Sequence, residues 1–270
     1  MAAGGVGEGD EVLLQAFTCV AVPNAIRALG AVPVYVDIDS RTYTIDPRAM
    51  ALGLTRKTRA VIVQHTFGYP ADLDAIAAVA RQERLFVVED CAHALGSRYA
   101  GRSVGTFGDA AIFSFGRDKP LGPVFGGMAV ARDAALADAV RQYRSLHTLA
   151  PPAGWVGRQL LHAPLTTAAL AAHRWGPLGP GLLALAKATG LLSLAVTAGE
   201  RQGQPPAVAR YRMANAMAAL ARLQLAKAET YARHRRSIAA AYRQMLEGHP
   251  CQLPPLDNGG RQTAWLRLPV

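Results

Sequence analysis

The sequence predicts an α/β fold built on a mostly parallel sheet, and three observations predict it. Short apolar runs rich in valine and isoleucine recur through the first half of the chain. Alanine-rich stretches with helical spacing separate them. Polar residues gather just after the apolar runs, where open α/β sheets present their ligand sites. Right-handed crossovers between such strands give an open sheet covered on both faces.

Taken in order, the apolar runs predict strands at 11–15, 32–36, 60–64, 85–88, 110–115 and 128–131. A helix is expected over 72–83, with Asp72 as N-cap ahead of Ile76, Val79 and Ala80. After Ser145 the chain turns rich in proline, alanine and leucine without strand alternation, and 148–206 reads as an apolar insertion. Two helices should follow. Met213, Met217 and Leu220 stand at i, i+4 and i+7 in the first, and Tyr231, Ile238, Tyr242 and Met245 form a stripe on the second. Arg233, His234, Arg235 and Arg236 then make a solvated face, and Gly248 and Pro250 stop the helix. The last residues, 265–270, read as a strand just beginning. The sequence has no internal repeat.

Hydrophobic residues make up 51% of the 270 and charged residues 18%, which excludes a disordered tail or a fibre. The length allows one large α/β domain, or one domain with part of a second. A formal charge of +10, carried by arginine with only four lysines, favours anionic partners such as phosphorylated small molecules. The arginines are scattered and form no basic tail, so nucleic acid is not expected as a partner. Three cysteines without a CxxC pair argue against disulfides or structural zinc, and fit a reducing cytoplasm. Residues 1–5 lack the basic and apolar regions of a secretory signal. The most apolar stretch, 181–199, contains Lys187 and Gly190 and follows Pro177 and Pro180, so no stable membrane span is expected. A buried insertion or a partner-facing helix comes first there, and weak membrane-surface contact by 177–199 second.

Three strand ends concentrate the chemistry. Val88 leads into Glu89, Asp90, Cys91 and His93; Val63 leads toward His65, Thr66, Phe67 and Gly68; Phe113 leads into Ser114 and then Arg117, Asp118 and Lys119. Pro120 disfavours the α region for Lys119 and holds it in an extended loop. A lysine on a rigid loop at a strand end can form a Schiff base if its neighbours make the amine nucleophilic. The plainer reading of Lys119 alone is a surface lysine; Asp90 and Ser114 beside it point to a site.

The ordered segments Gly9-Asp10-Glu11-Val12, Val36-Asp37-Ile38-Asp39, Tyr43-Thr44-Ile45-Asp46, His65-Thr66-Phe67-Gly68, Val88-Glu89-Asp90-Cys91-Ala92-His93-Ala94, Phe113-Ser114-Phe115-Gly116-Arg117-Asp118-Lys119 and Tyr211-Arg212-Met213 carry a resemblance. The chain resembles the DegT/DnrJ/EryC1/StrS family of pyridoxal-phosphate-dependent sugar aminotransferases, of fold type I, over all but about residues 148–206. The resemblance implies a large cofactor-binding domain over 1–226. It also implies a linking helix and the start of a small C-terminal α/β domain over 227–270. Lys119 matches the lysine that holds pyridoxal 5′-phosphate and later shuttles a proton. Asp90 matches the carboxylate that pairs with the pyridinium nitrogen. His93 stands near the ring's phenolic oxygen, and Ser114 matches a phosphate-contacting serine. Thr18 and Cys19 match cofactor-lining positions, some members having an aromatic at Cys19 that stacks on the ring. Arg210 stands where many members have an asparagine that reaches the neighbouring subunit's cofactor phosphate. His65 is expected to be structural, and the Gly126-Gly127 pair to make a sharp turn.

The resemblance further implies a homodimer, an amino acid donor, commonly glutamate, and a keto sugar carried by a nucleotide. Two departures stand against it. The Gly-Thr turn that cradles the phosphate in the family does not precede Gly9, and the sequence stops where the small domain's sheet should begin. The expectation is a fragment, a misplaced start or a degenerate gene. Two alternatives remain, a related sugar dehydratase that replaces the lysine by histidine, against which Lys119 speaks, and a non-catalytic remnant or regulatory binding protein. A generic nucleotide-binding domain is set aside, because the glycines at 5, 7 and 9 have the wrong spacing and precede the first strand.

Overall fold

Val12, Leu13 and Leu14 are all buried, because β1 (Glu11–Gln15) lies inside a sheet with a strand on each side and a layer on each face. The structure is a computed structural model and describes residues 1–192, 198–204, 210–255 and 260–270. Its main sheet also contains β2 (Val32–Val36), β3 (Thr58–Gln64), β4 (Phe86–Asp90), β7 (Ala110–Ser114) and β8 (Gly127–Ala131), in the order β2-β1-β3-β4-β7-β8. All neighbours are parallel except the antiparallel β7–β8 pair. β5 (Arg98–Tyr99), β6 (Arg102–Ser103) and β9 (Arg261–Gln262) form a small second sheet.

Alternation along the strands feeds two cores. Val12, Leu14, Ala60 and Ile62 pack with Ile26 of α1 (Ala21–Arg27). Leu13, Val61 and Val63 pack on the other face with Met50 of α2 (Pro47–Leu52) and with Leu73, Ile76 and Ala80 of α3 (Leu73–Gln82). Asp46 and Asp72 cap these last two helices through the backbone N–H groups of Arg48 and Ala75.

Between Ala134 and Met245 the regular elements among the described residues are helices. They include α4 (Ala134–His147), α5 (Ala153–Leu160), α6 (His162–Ala172), α7 (Leu178–Ala188), α8 (Ala198–Arg201), α9 (Asn215–Leu225) and α10 (Ala228–Met245). Parts of the expected 148–206 insertion, 193–197 and 205–206, lie outside the described residues, as does the Ala207 start of the first following helix. Among the described residues no helix is long and apolar enough to cross a membrane.

Four expectations are corrected here. Met213 precedes α9 rather than joining its stripe, and its sulfur occupies the space beside Gly126, while Leu220 is exposed. On α10 the inward residues are Ala232 and Ala239, and Tyr231, Ile238, Tyr242 and Met245 face outward. The small side is inward because the helix approaches closely: a Cβ on Gly96 would stand 3.3 Å from that of Ala232. The same approach takes Arg235 and Arg236 out of the expected solvated face, since Arg235 Nε donates to the Ala264 carbonyl at 2.9 Å and Arg236 pairs with Glu229. Finally, the terminal strand is Arg261–Gln262, not 265–270. Leu266 N–H bonds to the Phe67 carbonyl and Trp265 packs on Tyr69, so that segment spends its hydrogen bonds on a loop rather than a sheet.

Candidate active site

Chain order reverses beside β1, with β2 on one side and β3 on the other, which opens a crevice at their carboxyl ends. Thr18 Oγ1 donates to Gln64 Oε1 at 2.5 Å across that crevice. Gln15 Nε2 reaches the Tyr43 carbonyl and Thr66 Oγ1, and Gln64 Nε2 also donates to Thr66 Oγ1 at 2.9 Å. The rings of Phe17, Tyr43 and Phe67 meet here with centroids 5.8 to 6.0 Å apart. Tyr43 and Phe67 hold left-handed backbone at φ 58° and 56°, a strained state for non-glycine residues that concentrates at functional sites. Cys19 is an exposed free thiol at this rim. The glutamine network was missed by sequence reasoning; its signal was a glutamine ending each of two apolar runs.

Glu89 and Asp90, adjacent on β4, point to opposite faces. Glu89 accepts from the backbone N–H groups of Gly105, Phe107 and Gly108, each at 2.7 Å, and lies 3.1 Å from His65 Nε2. His65 Nδ1 accepts from Ala71 N–H, which leaves its proton on Nε2, toward Glu89. Burial pushes the Glu89 pKa up, but His65 and the backbone donors outweigh it and hold the carboxylate below its usual range. Cys91 Sγ lies within 4.8 Å of the His65 and Glu89 ligand atoms. Burial and two nearby carboxylates push that thiol up, and the Glu89 and His65 lone pairs are already engaged, so the trio is scaffold.

Asp90 is equally deep, yet among the described residues it accepts one hydrogen bond, from Ala92 N–H to Oδ1 at 2.9 Å. Its pKa is raised by burial, against the opposing pull of Ala92 N–H and of the charges at His65 and Lys119. Lys119 Nζ stands 3.1 Å from His93 Nε2 and 3.5 Å from Asp118 Oδ2. Phe67 N–H donates to His93 Nδ1, so the imidazole proton falls on Nε2, facing the lysine nitrogen. Burial and the charges of Lys119 and Arg267 lower the His93 pKa to about 4. His93 is therefore a neutral imidazole at pH 7, stacked on the Phe67 ring with planes 6° apart.

Gly116 organises the lysine loop. A Cβ there would lie 3.3 Å from Asp118 Oδ1, 3.5 Å from Lys119 Cγ and 3.8 Å from Ser114 Oγ, so these groups converge on one point. The Ser114 hydroxyl has no partner among the described residues. Gly126 bends the chain at φ 138° against Met213, and Gly127 opens β8. The structure thus unites Lys119, His93, Asp90 and Ser114; Thr18, beyond the end of β1 and two strands from β4, bonds Gln64 instead. No hydrogen bond or ion pair joins Cys19 or Arg210 to them; Arg210 is exposed, and its carbonyl accepts from Leu149 N–H. Arg267, which sequence reasoning also missed, pairs with Asp118 at 3.8 Å from 148 positions beyond Lys119, a separation that leaves no local signal.

The model of the DegT/DnrJ/EryC1/StrS aminotransferase family matches residues 1–154 and 186–270. Among curated proteins, GDP-perosamine synthase of Escherichia coli O157:H7 is 42% identical over 134 residues, 50% of this chain and 37% of that protein. A pleiotropic regulatory protein of Geobacillus stearothermophilus is 46% identical over 143 residues, 53% of this chain and 38% of that protein. The aminotransferase TlmJ of Streptoalloteichus hindustanus superposes with a TM-score of 0.73 at 31% identity, covering 99% of this chain and 60% of that one. The chain therefore spans well under half the length of the curated relatives it matches.

Proposed function

Because the chain belongs to the DegT/DnrJ/EryC1/StrS aminotransferase family, we propose that it carries the cofactor half of a pyridoxal-phosphate-dependent sugar aminotransferase. The observation that carries this reading is the convergence of the Lys119 amine, the neutral His93 ring and the under-bonded Asp90 carboxylate.

These residues fit pyridoxal phosphate. Asp90 is buried with one hydrogen bond and a raised pKa, the condition of a carboxylate short of a cationic N–H partner such as a pyridinium. The unpartnered Ser114 hydroxyl and Thr18 would serve the phosphate, and Lys119 is the one amine in the cluster. When bound, the cofactor supplies an electron-withdrawing ring that stabilises negative charge on the donor carbon. Lys119 Nζ is the nucleophile and afterwards the proton carrier, and the His93 Nε2–H, 3.1 Å away, orients its neutral amine. Phe67 holds the tautomer of His93 through its N–H, and its ring packs against those of Phe17 and Tyr43. The amino donor is an amino acid, with glutamate preferred, and the acceptor a nucleotide-linked keto sugar, whose diphosphate suits the basic chain. A second subunit would complete the site, with Arg210 offering a charge-assisted contact to the cofactor phosphate across that interface. The free cysteines suit a reducing cytoplasm.

The test is borohydride treatment of the 270-residue protein with pyridoxal phosphate, followed by peptide mass spectrometry. A stable adduct on Lys119, absent in Lys119→Ala, is the expected result. A folded protein with no adduct overturns the catalytic reading and leaves a binding protein of the same fold.

A further inference from the structure

The hairpin of α6 and α7 projects side chains that neither the sheet nor the lysine loop uses. Its two helices touch backbone to backbone, since a Cβ on Gly179 would stand 2.5 Å from the Ala169 carbonyl oxygen. That close contact makes a preorganised unit. The link His173–Trp175 turns the chain between them, with Gly176 at φ 69°. Around this tip, Leu170 is 72% exposed, Trp175 59% and Leu178 61%. Three large apolar side chains within nine positions form a patch that soluble surfaces avoid unless it is used.

The charge along this part of the sequence is of one sign. From residue 139 to 199 the sequence contains no aspartate or glutamate, but has Arg141, Arg144, Arg158, Arg174 and Lys187. Arg174 lies over the Trp175 ring at 4.8 Å, and Lys187 is exposed on the same hairpin. Each helix has 11 residues, about 16 Å, too short to span hydrocarbon and long enough to lie among headgroups. The family model leaves 155–185 unmatched, a stretch that holds α6 and most of α7.

We infer that the α6–α7 hairpin docks the protein on an anionic lipid bilayer. Leu170, Trp175 and Leu178 enter the headgroup region, and Arg174 and Lys187 pair with lipid phosphates. A second copy of the chain is the poorer occupant, because two such faces would oppose cation to cation with no acid between them. The ring of His162, first residue of α6, stands 3.2 Å from Arg117 Nη1, two residues before Lys119, so docking would hold the lysine loop about one helix length from the lipid.

Co-sedimentation of the full chain tests this, with phosphatidylcholine vesicles alone and with added phosphatidylglycerol, at low and high salt. The expected result is pelleting with the anionic vesicles only, weakened by salt. Arg174→Gln/Lys187→Gln should lower partitioning roughly 30-fold, at about 1 kcal/mol for each charge lost. Leu170→Ser/Trp175→Ser should abolish it while the far-UV circular dichroism is unchanged. The charge pair alters only exposed residues, so it decides the matter even if the apolar variant does not fold. Failure of the wild type to pellet with anionic vesicles overturns the inference. So does light scattering that shows the hairpin variants splitting a dimer without changing vesicle binding.

Discussion

Glu89 and Asp90 are neighbours on one strand, both buried, and their surroundings are opposites. Glu89 is closed, with three backbone donors and a histidine around it and a lowered pKa. Asp90 is open, with one donor and a raised pKa. Hydrogen-bond saturation distinguishes a carboxylate that builds the fold from one that waits for a ligand, and burial alone does not.

The largest effect that would break this comparison is expected at Glu89. Glu89→Ala leaves three backbone N–H groups and His65 without their acceptor, and should cost about 4 kcal/mol or more in urea unfolding. A loss below about 1 kcal/mol would mean that the closed network is not structural. At Asp90 the sign reverses. Asp90→Asn removes a buried charge with a raised pKa, so the protein without cofactor should melt higher at neutral pH, by roughly 2–4 °C per kcal/mol gained. The same change should weaken pyridoxal phosphate binding at least about tenfold, read by equilibrium dialysis. A lower melting temperature would show that Asp90 supports the fold as Glu89 does.

The smallest effect concerns His93. Its folded pKa of about 4 lies below the ordinary 6.5, so between those values the unfolded chain binds more protons. Stability from this group is fully present above pH 6.5 and is lost as pH falls toward 4. With a discount for its partial exposure the contribution is about 1 kcal/mol. Chemical unfolding of wild type and His93→Asn across that window should show the slope reduced in the variant; equal slopes would remove His93 from the open cluster's electrostatics.

Much of this was legible in the sequence. The runs at 11–15 and 32–36 mark β1 and β2 at their observed limits, because successive apolar residues fit a strand: β1 lies covered inside the sheet, and β2 is its partly exposed edge, where Pro33 is tolerated. Asp72 announces α3 because a short acidic side chain can cap an N-terminus. Lys119, Asp90, His93 and Ser114 were visible as polar residues at strand ends. The orientation of α10 was not legible, since periodicity marks two stripes on that helix and only the partner's shape selects the alanine one. Nor was the bond that joins Gln15 to Thr66, 51 positions away at the end of another strand.

The sequence by itself determined the strand order's raw material, the helix caps and the chemical types at the strand ends, because these follow from local propensity and side-chain inventory. Only the tertiary structure decided which buried carboxylate is saturated and which imidazole proton faces the lysine. It also decided that Arg267 lies beside Asp118 and that Leu170 and Leu178 of the hairpin face outward. Each of these depends on donors and surfaces brought from distant segments, whose positions are fixed only when the chain closes on itself.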